Sequence, residues 1–495
     1  MKCTNKWQFT LICLLVSFAC NNLKSMASAS TSLATDFKVS NGETPSQEML
    51  KTTNSISQNS ITWTFSVPVS YGQFANGDYF VIDPGSGVKI NSINPASVSS
   101  ARSMNGSMIN PGGNINQGYD EGMYGAAYAD SLNVALDINS NRPLLLRAGE
   151  SLVSTRSLAT AGARPQISDM AILTCLSSVP ASGAFRPPYV GSNKTISFNI
   201  SDINYSALGI LNPLTGAPDI AIYETMMQKV WYEAMPGWIG QFPRATNHMR
   251  GMVNIGYSSD MGKWSNVALL LLQCNYTNTQ KKQLLIYMLQ YAIDISGCIV
   301  NGVTFTDNGG HGHGRKSILA LGAAVFNNST MIAQLDHAKY GVFGEDTLIN
   351  AVTSTYYSKT ACGYNGTFCS DPKAQYNSKS QPVGTPEWTF DGTINSANAN
   401  RQADYRDAYG NNIAGMLSAL IMGQEAHWNR AISFDYAKRF RNLMKEGTVG
   451  AYGEYTPSVW VTAMIDAYWD MYLGTTSSPP ASKSPIAPTE LRIKP

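Results

Sequence analysis

The sequence predicts an α+β multidomain protein, an N-terminal antiparallel β-sandwich followed by an α/α toroid in the form of an incomplete helical barrel. Two changes of pattern carry that expectation. Over residues 60–201 the apolar residues fall in short runs broken by Gly, Pro, Asn and Ser, which is the spacing of strands joined by turns. After Asp219 they recur at helical spacing in longer segments. A third observation makes both halves foldable: 43% of the 495 residues are hydrophobic, with 25 Tyr, 16 Phe and 9 Trp, too many for a disordered chain.

The chain opens on a positive segment, residues 1–6, followed by a mostly apolar stretch, residues 7–20, too short to span a bilayer. Residues 1–29 are therefore expected to be a signal peptide, and the protein to be exported to the periplasm, the cell surface or the medium. Ser17-Phe18-Ala19 before Cys20 suits cleavage or a lipoprotein signal that leaves Cys20 as a lipid anchor, and Ala27-Ser28-Ala29 is a second cleavage site. Residues 30–59 are expected as a polar linker. Of the eight cysteines, Cys3, Cys13 and Cys20 fall in the signal, leaving Cys175, Cys274, Cys298, Cys362 and Cys369. Cys362 and Cys369 bracket a loop and are the expected disulfide in an oxidising compartment, whereas Cys274 and Cys298 lie in apolar helical runs and read as buried thiols.

The β-sandwich is assigned to residues 60–205, with strands expected at 61–67, 79–82, 88–93, 132–136, 144–153, 171–176 and 196–200. These runs are strand-length and mostly rich in β-branched or aromatic residues, with no convincing helix among them. The long segment 94–128 is expected to be a functional flap or a cover. The toroid is assigned to residues 206–474, with helices expected at 220–235, 264–274, 280–298, 315–326, 344–357, 405–422, 427–444 and 457–473. Several are apolar on more than one face, as Ala268-Leu269-Leu270-Leu271-Leu272 shows, the mark of inner helices in a multilayer body. Residues 475–495, with Ser478-Pro479-Pro480, are expected as an extended Pro/Ser-rich tail.

Only 14% of the residues are charged and the formal net charge is +2. Phosphate recognition needs a concentrated basic surface, so no nucleic-acid partner is expected. All five histidines lie in the helical half. The most distinctive segment is Asp307-Asn308-Gly309-Gly310-His311-Gly312-His313-Gly314-Arg315-Lys316, whose glycines let backbone approach a ligand and whose helix start favours an anion. Arg315 intrudes where a phosphate loop needs Lys-Ser. His311 and His313 supply two metal ligands with no third marked nearby, so neither a metal nor another cofactor is expected. A second cluster is Arg244, Asn247, His248 and Arg250, with Tyr257, Asp260 and Trp264 after it; a third is Arg401, Asp404, Tyr405, Arg406, Tyr409, Asn411 and Asn412. Each precedes an inner-type helix, and in a toroid such helix starts converge on one face.

His, Tyr, Arg, Lys and Asn with few carboxylates fit β-elimination from a uronic acid, in which the C6 carboxylate is neutralised and Tyr or His moves the protons. Hydrolysis asks for two carboxylates at a set separation, and among Asp260, Asp307, Asp404, Asp407, Glu425 and Glu454 no pair stands out. No Gly-X-Ser-X-Gly elbow occurs. Trp238, Trp264, Trp388, Tyr405, Trp428 and Trp460 are aromatic residues suited either to stacking on sugar rings or to packing in the core.

Asn76-Gly77-Asp78-Tyr79-Phe80, Gln117-Gly118-Tyr119-Asp120, Arg186-Pro187-Pro188-Tyr189, the segment 308–316, Trp428-Asn429 and Phe434-Asp435-Tyr436 resemble exported bacterial proteins that pair a β-sandwich with an α/α helical domain. The architecture is similar to the α/α-toroid polysaccharide lyases that act on alginate, glucuronan or heparin-like chains, although those place a β domain after the toroid. The expectation is an exported carbohydrate-active enzyme, a lyase whose partner is an acidic polysaccharide or oligosaccharide. Asn247 and Arg315 would hold the carboxylate, His311 or His313 would take the proton, and Tyr405 or Tyr409 would protonate the leaving oxygen. His248, Lys316, Arg406 and Trp264 would complete substrate binding. The alternatives are a glycoside hydrolase in the same cleft and a noncatalytic surface glycan-binding protein.

Overall fold

Asn59 and Ser60 adopt φ of +49° and +63°, a two-residue turn whose twist suits a hairpin, and it joins Lys51–Gln58 (β1) to Ile61–Gln73 (β2). The computed structural model describes residues 50–113, 116–123, 128–163, 165–234, 245, 258–305, 314–351, 384–388, 409–446 and 458–473. Tyr79–Ile82 (β3), Val88–Asn94 (β4), Ser107–Ile109 (β5), Leu144–Leu146 (β6), Glu150–Ser157 (β7) and Ile167–Leu176 (β8) join the hairpin in one eight-stranded sheet. Its order is β5-β7-β8-β3-β2-β4-β6 with β1 also on β2, and only the β3–β8 pair is parallel.

The sheet curls into a half-barrel. Trp63 of β2 consequently reaches across to donate its indole N–H to Ser154 of β7 at 3.0 Å. Successive strand residues point to opposite faces, and β8 shows what each face buries. Ala171, Leu173 and Cys175 pack with Trp63, Phe65 and Ile90 inside the curl, whereas Met170 and Ile172 join the core shared with the helices. With both faces covered, all ten residues of β8 are buried. One curled sheet thus stands among the described residues where two facing sheets were expected.

The helices follow as Ile220–Met227 (α1), Ser258–Leu272 (α2), Asn278–Val300 (α3), Arg315–Phe326 (α4), Ser329–Leu335 (α5), Gly344–Thr347 (α6), Ile413–Ile421 (α7), Glu425–Trp428 (α8), Ala431–Lys445 (α9) and Val459–Tyr472 (α10). Thr277 and Gln280 cap α3 reciprocally, which satisfies N–H groups that a helix start otherwise leaves unpaired. A short pair, Ile349–Ala351 (β9) and Pro386–Trp388 (β10), packs against α9 through Arg439, which donates to Pro386 O and Glu387. Residues from Leu50 onward belong to one compact unit, and one apolar cluster runs from Met108, Val153 and Ile172 of the sheet into Leu289, Leu319 and Leu417 of the helices.

Several elements differ from the sequence expectation, each for a local reason. Residues 51–58, expected within the linker, form β1, because alternate positions need only face water while β2 supplies their backbone bonds. Residues 132–136 are held in a turn by Asn133, whose side-chain oxygen accepts the N–H groups of Ser107 and Ala135. In 196–200 Asn199 caps a short 3₁₀ turn instead of continuing a strand. The run 144–153 splits at Gly149, which turns with φ +88°. The run 344–357 yields only the four residues of α6 before β9 begins. Asn429, at φ +49°, breaks 427–444 into α8 and α9. Cys175, Cys274 and Cys298 are buried free thiols, as expected for the last two; Cys362 and Cys369 lie outside the described residues.

Candidate functional site

The starts of two helices, α4 and α7, pack against α2. Gly314 precedes α4 in a left-handed turn, φ +88°, so close to α2 that an added Cβ would stand 2.9 Å from Gly262 Cα. Gly415, in the first turn of α7, leaves no room for a methyl group: its Cβ would lie 1.9 Å from Asn266 Oδ1 and 2.7 Å from Ser317 Oγ. Asn266 of α2 is buried and its amide nitrogen stands 3.4 Å from Asn412 Oδ1, the residue before α7. Small residues at Gly262, Gly314, Gly415 and Ser317 thus bring the starts of α4 and α7 together against the body of α2.

The first turn of α4 carries two of the expected site residues, both buried and both paired. Arg315 is 2% exposed and its Nε and Nη2 donate to the two oxygens of Glu233 at 3.1 and 3.3 Å. The Tyr291 hydroxyl donates to Glu233 as well. Burial opposes the guanidinium charge, but Glu233 and Tyr291 more than offset it and hold Arg315 further toward the cation than usual. Lys316 is 0% exposed; its ammonium donates to Asp346 and to Trp428 O, and lies 4.5 Å from the Trp428 ring centroid.

Asp346 is the hub of this second group. Its Oδ1 accepts from Trp428 Nε1 at 2.6 Å and Ser433 Oγ at 3.1 Å, and its Oδ2 lies 3.6 Å from His337 Nδ1. Burial raises its pKa, but Lys316 and the other donors outweigh burial and leave the carboxyl below its usual range. Beside it, Glu345 accepts the backbone N–H of Lys316 at 2.7 Å. Gly314 has no side chain with which to cap α4, so Glu345 caps the helix from α6. Burial and the neighbouring Asp346 push the Glu345 carboxyl up to about 8.

The motifs shared by the sheet and its loops reach the same place. Arg186 pairs with Asp78 and Asp294 between sheet and α3. Tyr189 stacks on Tyr232 with centroids 5.0 Å apart, its hydroxyl accepts the Glu233 N–H at 2.8 Å, and Tyr232 shares a hydrogen bond with Tyr119. The segments around Asp78, Tyr119 and Arg186 therefore brace Glu233, which in turn holds Arg315. Tyr119 is also part of the segment 94–128, whose described portion here covers the core.

Of the other expected site residues, Trp264 is half-buried and tilts against Tyr223 at 5.9 Å. Tyr409 opens the 3₁₀ turn Tyr409–Asn412 before α7, and its side chain lies outside the described residues, as do Asn247, His248, His311, His313, Tyr405 and Arg406. Trp428 is 1% exposed and Trp460 is buried too, so both are core residues and neither presents a ring to a sugar. Sequence reasoning missed Glu233, Glu345 and Asp346. The one local signal was an acidic pair directly after the apolar Val342-Phe343 run, where two carboxyls call for partners.

No family model, no curated protein and no solved structure matched the chain.

Proposed function

We propose that the protein is an exported carbohydrate-active enzyme, a polysaccharide lyase that cleaves a uronic-acid-containing glycan by β-elimination. The helical half is read as an incomplete α/α toroid, with the curled sheet standing where the resemblance to exported bacterial proteins places a β-sandwich. One observation carries the reading: the starts of α4 and α7 pack against α2 at Gly262, Gly314, Asn266 and Gly415, and each of the three helices follows a polar cluster in sequence. The clusters supply His248 and Asn247, His311 and His313, and Tyr405, Arg406 and Tyr409.

In this reaction Asn247, His248 and Arg406 neutralise the C6 carboxylate, His311 or His313 removes the C5 proton, and Tyr405 or Tyr409 protonates O4 as the C4–O4 bond breaks. A C4=C5 double bond remains in the product. Arg315 and Lys316, paired with Glu233 and Asp346, then serve to fix the start of α4, and no cofactor is invoked. Glycoside hydrolysis, by a pair drawn from Asp260, Asp307, Asp404, Asp407, Glu425 and Glu454 in the same cleft, is the second reading.

Incubation with alginate, glucuronan and pectin separates these readings. New ultraviolet absorbance with new reducing ends means elimination, and reducing ends alone mean hydrolysis. Retained binding with neither signal sinks the enzyme reading for these substrates in favour of glycan binding. A folded His311→Ala or His313→Ala variant with full activity removes that residue from the proton step. Export is tested separately, by N-terminal sequencing of the secreted protein and by lipid labelling at Cys20.

A further inference from the structure

Tyr287, Gln290, Tyr291 and Asp294 stand at i, i+3, i+4 and i+7 of α3, so they share one face of a helix whose other central residues are apolar. That face lines a cleft whose remaining walls are Asn76, Arg186 and the segment from Met227 to Trp231. Its deepest part holds about 20 Å³, room for one water-sized group. With its open mouth the cleft measures about 270 Å³, the scale of a single ring rather than of a bound chain. Arg186, Asp294, Trp231 and Tyr291 are buried and make the floor, the two aromatic rings tilted against each other with centroids 4.7 Å apart. Tyr287, half-buried, and Gln228, exposed, stand at the mouth.

The floor selects the ligand. Arg186 spends Nε on Asp78, Nη1 on Asp294 and Pro187 O, and one Nη2 hydrogen on Asp294. A guanidinium has five hydrogens to donate, so one on Nη2 is left over among the described residues. Asp294 accepts the two Arg186 bonds and the Tyr189 N–H, and a carboxylate offers about four acceptor sites. A group that only donates and a group that only accepts thus lie side by side. A carboxylate placed there would be repelled by Asp294 and an ammonium by Arg186, whereas a hydroxyl donates to one and accepts from the other. Charge agrees: Arg186 and Lys229 are balanced by Asp294 and by Asp78 behind Arg186. Tyr287 is flanked by the amides of Gln228 and Gln283, an apolar ring beside neutral polar groups. We propose that this cleft binds an uncharged sugar unit, with one hydroxyl on the Arg186–Asp294 pair and the sugar ring at the mouth against Tyr287 and Gln228. The site goes beyond the lyase reading, which concerns a uronic-acid unit, and requires no catalysis.

Saturation-transfer NMR on the whole protein tests it, with the methyl glycosides of glucose, galactose, mannose and xylose as neutral probes and methyl glucuronide as the charged comparison. At least one neutral glycoside should bind, and glucuronide should bind more weakly than the glucoside of the same ring. Tyr287→Ala removes the ring at the mouth and should weaken binding by about tenfold. Gln228→Trp, at an exposed position that the fold tolerates, should block the mouth and weaken it at least as much, which covers the case of a Tyr287→Ala chain that does not fold. Three results overturn the proposal: no neutral glycoside binds, binding is unchanged in Gln228→Trp, or glucuronide binds as well as the glucoside and is lost in the same variants. Neutral-sugar binding without cleavage of any polymer would sink the enzyme reading and leave this site standing; cleavage without neutral-sugar binding would do the reverse.

Discussion

Arg186 and Asp294 form a two-pronged ion pair, Nη1 to Oδ1 at 3.0 Å and Nη2 to Oδ2 at 2.6 Å, inside the interface between the curled sheet and α3. Arg186 is 1% exposed and its Nε reaches Asp78 at 2.6 Å. Asp78 is steadied by Gln58 of β1 and by Asn76, while the Gln290 side chain bonds both backbone groups of Arg186. A guanidinium fork is the one side chain able to hold both carboxylates in plane.

Removing that fork should leave two buried carboxylates unpaired. Arg186→Met is expected to lower unfolding free energy by about 3–5 kcal/mol, and Arg186→Lys to recover only part because it cannot bind Asp294 at two points. Urea denaturation followed by fluorescence reads both; a loss below about 1 kcal/mol for Arg186→Met would mean the pair is dispensable.

Lys316 and Asp346 should behave as a coupled unit. Asp346→Asn leaves a buried ammonium without its counter-charge and should cost about 3–5 kcal/mol. Adding Lys316→Met should cost less than the sum of the two single changes, since the stranded charge is then gone. Four denaturation curves complete the cycle, and simple additivity would show that the two side chains do not depend on each other.

Glu345 makes stability depend on pH in a defined direction. Its carboxyl ordinarily titrates near 4.5 and in the folded chain near 8, raised by burial and by Asp346. Between those values the unfolded chain has lost the proton and the folded chain has kept it, so stability falls as pH rises through this window and levels off above it. The slope is on the order of 1 kcal/mol per pH unit. The difference in Tm between Glu345→Gln and wild type should therefore grow in favour of the variant from pH 5 to 8; a constant difference would contradict the assignment.

Gly415→Ala tests the convergence of helix starts. Alanine ordinarily favours a helix by about 1 kcal/mol over glycine, yet here its Cβ would collide with Asn266 and Ser317. The expected outcome is a net destabilisation of about 1–3 kcal/mol, with slower polymer cleavage as α2 and α4 move off α7. A variant more stable than wild type would mean that the three helices do not depend on this contact.

Most core helices were legible because their signal is local. Apolar spacing marked α4 at both ends and most of α2, α3 and α10, and a buried helix needs no information beyond that spacing. Polar side chains were the commonest source of error. Asn133, Asn199 and Asn429 redirect backbone through their own hydrogen bonds or a left-handed turn, and propensity alone gives those options little weight. Arg315 and Lys316 stood out in the sequence as substrate-binding residues, whereas both are buried in ion pairs, and the starts of α4 and α7 pack against α2. Their partners Glu233 and Asp346 did not stand out.

The sequence by itself determined the strand-rich first part, the helical second part, the places where chains of apolar residues had to be buried, and the polar clusters before three helices. Only the tertiary structure decided which charge meets which. Arg186 finds Asp294 at a separation of 108 residues, Arg315 finds Glu233 at 82, and Lys316 finds Asp346 at 30. Periodicity reports a residue's neighbours within a few positions, whereas a buried ion must be matched by whatever side chain packing delivers to it. Among the described residues no cationic nitrogen bonds to Glu345, and burial beside Asp346 raises its pKa, so its protonation state is a property of the fold.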